Sequence, residues 1–100
     1  MGLLSRLFGP KVDLGQLIKD GAVILDVRSP REYDGGHIKG SKNIPLDQLK
    51  TKMGNLKKDT PIITCCASGM RSASAKSMLK ANGFSEVHNG GGWMNLTKYT

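Results

Sequence analysis

Apolar residues along this chain fall into two kinds of run, and the two kinds alternate. "AVILDV" (Ala22 to Val27) and "PIITC" (Pro61 to Cys65) are nearly unbroken, the pattern of strands buried on both faces. Leu14, Leu17 and Ile18 instead fall on one face of a short helix that Asp13 caps and Gly21 stops. After the first strand, "SPRE" offers Ser29 as N-cap, Pro30 at the first helical position and Glu32 reaching back, a capping box for a helix closed by Gly35-Gly36. "KNIPL" predicts a short strand ending at Pro45, after which Leu46, Leu49, Met53 and Leu56 keep helical spacing. From Met70 to Asn82 a further helix carries Ala75, Met78 and Leu79 and ends at Gly83; "EVH" is a last short strand, and "GGGWMNL" turns into a terminal helix. Strands separated by helices of this length predict an α/β fold, with a mainly parallel central sheet and helices on both faces.

Length and composition narrow this to one domain, expected over residues 10–100, with residues 1–9 an extension that is poorly ordered or a short helix. No apolar run approaches the ~18 residues of a membrane span, and "MGLLSRLFG" is too short and lacks the small-residue cleavage site of a secretory signal. Arg6 stands where a myristoylation signal wants Ser or Thr. Two adjacent cysteines cannot staple distant segments, which suits a reducing compartment. The expectation is a cytoplasmic protein without a membrane partner. Fifteen Lys+Arg against eight Asp+Glu give +7, but the lysines are scattered and the chain has 5% aromatic residues. That is a solvated surface rather than a nucleic-acid reader, although it attracts small anions toward a cleft.

In parallel α/β sheets ligands bind beyond the carboxyl ends of strands. "ITCCASGMRS" (Ile63 to Ser72) lies at such an end. A cysteine between a buried strand and a helix start meets unpaired backbone N–H groups and the positive end of the helix dipole. With Arg71 in the first turn, the thiol is expected below its free value of about 8.5. Ala67, Ser68 and Gly69 are small enough for a tight curl, which is expected to cup backbone N–H donors around the sulfur as an anion nest.

Three motifs in order resemble the single-domain rhodaneses, a sulfurtransferase family. Cys66-Ala67-Ser68-Gly69-Met70-Arg71-Ser72 meets the family's Cys-x-x-Gly-x-Arg-Ser pattern. Upstream, "LDVRSPREYDGGHIKGSKNIPL" resembles its Asp-Val-Arg to Asn-Ile-Pro signature, and "GFSEVHNGGGW" resembles its closing strand and Gly-Gly turn. The resemblance implies a rhodanese-like three-layer fold and a two-step transfer with Cys66 as nucleophile and persulfide carrier. Ala67, Ser68, Gly69, Met70 and Arg71 would bind the substrate, and neither a metal nor an organic cofactor is required. The implied partners are a small anionic sulfur donor such as thiosulfate, and a thiol, cyanide or protein acceptor.

Two other readings stay open. A non-catalytic rhodanese-like module would dock a partner or carry sulfur through the same cleft. Counted from Cys65, five residues precede Arg71, the spacing of phosphatases and arsenate reductases, but glycine then falls at the wrong place and Cys65 completes the apolar run. A strained vicinal Cys65–Cys66 disulfide is a further role for Cys65. Asp26 and Arg28 are expected to pin the strand end, His37 and His88 to serve as hydrogen-bonded framework, and Trp93 and Leu96 to pack the last helix.

Overall fold

The structure, a computed structural model, describes residues 12–100; the expected extension at 1–9 lies outside them. It opens with α1 (Leu14–Lys19), capped as expected by Asp13, whose carboxylate accepts from Gln16 N at 3.1 Å. β1 (Val23–Asp26) follows, then α2 (Pro30–Asp34), where both bonds of the Ser29–Glu32 capping box are present. β2 (Lys42–Asn43) leads to α3 (Leu46–Lys52), which tightens into a 3-10 turn at Met53–Asn55. β3 (Ile62–Cys66), α4 (Met70–Ala81), β4 (Val87–Gly92) and a 3-10 segment at Trp93–Tyr99 complete the chain.

The four strands form one parallel sheet in the order β2-β1-β3-β4. β1 and β3, the two unbroken apolar runs, are therefore the central strands, as their double-sided burial requires. One face carries Leu25, Val27, Ile62, Cys66 and Val87 against Leu49, Ala75 and Leu79 of α3 and α4. The opposite face carries Ile24, Ile63 and Cys65 against Leu14, Leu17 and Ile18 of α1 and Trp93, Leu96 and Tyr99 of the C-terminal turn. The result is three layers, as expected.

Two elements differ from the sequence reading. β4 runs through Gly92 instead of stopping near His88, because the glycines lie against β3 where a side chain has no room. A Cβ on Gly90 would come within 2.8 Å of Ile63 Cγ2. The terminal helix is a 3-10 segment rather than an α-helix; Trp93 and Leu96, three apart, eclipse in that geometry and both face the core.

One buried ion pair ties the strand ends together. Asp26 has no exposure and Arg28 only 4%. Arg28 Nε donates to both Asp26 oxygens at 2.9 and 3.0 Å, and Nη2 donates to Oδ2 at 2.7 Å. Its remaining N–H groups reach the carbonyls of Gly36 (2.7 Å) and Glu32 (3.3 Å), while the guanidinium carbon sits 4.7 Å from the Trp93 ring centre. Asn43 Nδ2 closes the cluster on the carbonyls of Asp26 and Arg28. The pinning role expected for both residues is what the structure shows. His37 and His88 have framework partners too, His37 with the Tyr33 carbonyl and ring, and His88 with Glu86.

Removing one member leaves the other charge buried without its partner, which costs about 3–5 kcal/mol. Asp26→Ala is expected to lower the urea midpoint accordingly with an unchanged slope. Replacing both, as Asp26→Leu with Arg28→Met, should recover most of the loss.

Candidate active site

Side chains alternate across a strand, so the two adjacent cysteines at the end of β3 face opposite ways. Cys65 joins the cluster of Ile24, Ile38, Ile63 and Leu96; Cys66 joins the other face, beneath α4. Both thiols are free, and each residue is without solvent exposure. Their surroundings set them apart. Burial, with the nearby Asp26 charge, pushes the Cys65 thiol up to about 12.

Cys66 is buried as well, and burial alone would raise its pKa, but hydrogen bonds to the sulfur outweigh it and the thiol lies below its ordinary value. The Ser72 hydroxyl stands 3.4 Å from Sγ, Ser72 N donates at 3.4 Å and Gly69 N at 2.9 Å. The curl that aims Gly69 N at the sulfur needs φ +108° at Gly69, the residue that starts α4 and has no side-chain cap to offer. Behind the loop, a Cβ on Gly92 would come within 2.9 Å of the Ala67 carbonyl. β4 thus backs the loop with bare backbone.

The nest expected from Ala67 through Arg71 is present in part and reaches one residue further. Ser72, quoted in the motif but given no role, supplies both a hydroxyl and an N–H. Its hydroxyl is shared: Asn89 Oδ1 lies 2.6 Å away and Gly69 O 3.0 Å. It carries one proton. With a neutral thiol, S–H donates to Ser72 Oγ and the hydroxyl serves Asn89; with a thiolate, the hydroxyl turns to the sulfur. Asn89 Oδ1 then keeps its bond from Gly91 N at 2.9 Å. Thr64 Oγ1 donates to the Ser72 carbonyl at 2.8 Å and fixes the helix start from the strand side.

Arg71 is placed differently from expectation. Its Nη1 and Nη2 donate to the two carboxylate oxygens of Glu32 at 2.7 and 2.9 Å, so the guanidinium is paired with a carboxylate, and its interaction with Cys66 is electrostatic. Glu32, predicted only as a capping residue, also accepts from Ser29 N and Oγ. The hydrogen bonds from Arg71, then those from Ser29, hold its carboxyl down at about 2. Arg71 further lines an open cleft of about 430 Å³ with Val27, Ser29, Pro30, Pro45 and Leu46. Ala67, Ser68 and Met70 are exposed around the loop, Met70 to 80%.

The profile of the Rhodanese-like domain matches residues 11–98. The chain belongs to the rhodanese-like domain family. It is 35% identical to the thiosulfate sulfurtransferase GlpE of Ectopseudomonas mendocina over 85% of this chain and 78% of that protein. It is 43% identical to the uncharacterized protein YqhL of Bacillus subtilis over 68% of this chain, but it spans only 54% of that relative. Among solved structures, a rhodanese-related protein from Thermoplasma volcanium superposes with a TM-score of 0.73 at 38% identity, over 85% of this chain and 87% of that one. The three-layer rhodanese fold is thereby shared. Among the described residues no helix is long and apolar enough to cross a membrane.

If the Ser72 hydroxyl stabilises the thiolate, Ser72→Ala moves the titration of Cys66, read from thiolate ultraviolet absorbance, to higher pH. Cys65→Ser should leave that titration in place. An unmoved curve in Ser72→Ala would assign the lowered value to the backbone N–H groups alone.

Proposed function

We propose that this rhodanese-like chain is a sulfurtransferase that carries a sulfane sulfur on Cys66. The observation that supports this reading is the contrast within one dipeptide. Cys66 is held by N–H and O–H groups that favour its thiolate, while Cys65 is sealed on the other face at about 12. The reaction follows from that contrast. The Cys66 thiolate attacks the outer sulfur of thiosulfate, the S–S bond of the donor breaks, and sulfite leaves with the electron pair. Cys66 persulfide remains, its outer sulfur taking over the negative charge. Cyanide, or another thiol, then attacks that outer sulfur, forming thiocyanate or a new persulfide and returning the thiolate. Gly69 N, Ser72 N and the Ser72 hydroxyl hold charge on the sulfur in both half-reactions, with little reorganisation.

The same contrast speaks against a phosphatase or arsenate reductase built on Cys65, and against a vicinal disulfide, since the two sulfurs lie on opposite sides of the sheet. Cys66 itself has no solvent exposure, so a donor must enter through the exposed loop residues Ala67, Ser68 and Met70. A small donor suits that constraint.

Intact mass after thiosulfate treatment tests the reading. One added sulfur, lost on cyanide, is expected in the unaltered protein and in Cys65→Ser, and none in Cys66→Ser. Sulfur uptake surviving in Cys66→Ser would sink the assignment, and no uptake in any of the three would favour a docking module. Turnover of p-nitrophenyl phosphate should be negligible on the same preparation.

A further inference from the structure

The loop from Cys66 to Ser72 contains one charged side chain, Arg71, and that charge is not free. Both of its terminal nitrogens are engaged by Glu32 in a two-bond pair at 2.7 and 2.9 Å. Each side chain of the pair is 38% exposed, and Arg71 directly follows the exposed Met70 of the loop, so the pair stands on the solvent edge of the loop past which a donor enters. Glu32 is fixed from behind: Oε1 accepts from Ser29 N at 3.1 Å and Ser29 Oγ at 3.0 Å, and the Glu32 carbonyl accepts from the buried Arg28. The carboxylate therefore cannot follow Arg71 toward a substrate without breaking the cap of α2. Of the residues lining the cleft beside the pair, Asp47 is the other charged one, and it is negative.

We propose that Glu32 is a specificity-determining residue that, by neutralising Arg71 at the mouth, selects sulfur donors of low negative charge over dianions. This rests on the sulfurtransfer reading and refines its donor class. A donor with one negative charge meets a nearly neutral mouth, whereas a dianion such as thiosulfate meets the same mouth with a larger desolvation cost, which grows with the square of the charge, and a carboxylate in view. The overall +7 of the chain attracts both from afar, but beyond a Debye length of about 8 Å it is screened at physiological salt and does not discriminate at contact. The chemistry is the same for either donor: Cys66 takes the outer sulfur, and a sulfite or sulfinate leaves with the bonding pair.

Thiosulfate and methanethiosulfonate make the comparison directly, because both present an outer sulfur on a sulfonyl group and differ by one charge. Glu32→Gln keeps the capping box, since Gln serves at that position as Glu does, but removes the charge that masks Arg71. The ratio of kcat/KM for thiosulfate to that for methanethiosulfonate is expected to rise about fivefold, the effect of one uncovered unit charge on one extra negative charge near 4 Å in water. The thiosulfate reaction of this variant should also become more sensitive to added potassium chloride. Glu32→Asp, which keeps the charge on a shorter arm, should retain the wild-type ratio, so that charge and geometry are separated. A ratio unchanged or lowered in Glu32→Gln, or raised equally in Glu32→Asp, overturns the proposal. Transfer from neither donor by the unaltered protein overturns the sulfurtransfer reading itself, a different result from transfer with an unmoved ratio.

Discussion

A carboxylate with no access to water must be fully satisfied or it unfolds its surroundings, and Asp26 is such a carboxylate. Its answer is Arg28, two residues on, and the geometry of that answer propagates. Arg28 can reach back to Asp26 only if the chain leaves β1 in a tight turn, and its spare N–H groups then fix the carbonyls of Glu32 and Gly36. That sets where α2 begins and ends, and Glu32 sits in its first turn. Glu32 in turn holds Arg71. A buried pair one strand over from the cysteines thus places the outer charge of the site through a hydrogen bond to the Glu32 carbonyl and then the Glu32–Arg71 ion pair.

The sulfur itself depends on something simpler, the two-residue period of a strand. Because Cys65 pairs in register with Asp26 and Cys66 with Gly92, the two thiols are committed to different layers before any loop is considered. Desolvation raises both thiols, and what surrounds each sulfur decides the outcome. On the Asp26 side it acts with a negative neighbour and makes the thiol inert. On the α4 side it is overcome by three donors from the loop and helix start.

Much of this was legible in the sequence because it is local. The Asp13 cap, the Ser29–Glu32 box, the two central strands and the start of α4 after Gly69 each depend on residues within one turn of each other. The burial of Cys65 was legible too, since it completes an apolar run. The rest is of longer range or of contrary propensity. Three glycines read as a turn, and only the closeness of β3 makes them strand. Trp93 and Leu96 suit either helical geometry, which spacing cannot separate. Glu32 and Arg71 stand 39 apart, and nothing in either segment reveals that the two helix starts meet. Ser72 is the exception, for a serine in the first turn of a helix beside a cysteine is a local signal for a hydrogen bond to the sulfur.

The glycine seam of β4 carries a last consequence, for how the protein can vary through descent. Gly90 is confined by the Ile63 side chain, Gly92 by the Ala67 carbonyl, and Gly91 by its left-handed backbone at φ +78°. These are three separate grounds for one residue type. A smaller neighbour at Ile63 eases only part of the first, since the Thr64 carbonyl would still lie 3.0 Å from a Cβ on Gly90; no side-chain exchange elsewhere removes a carbonyl or reverses a dihedral. The wall behind the loop is therefore closed to stepwise change, whereas the exposed Ala67, Ser68 and Met70, on the solvent side of the same sulfur, carry no such constraint from their surroundings.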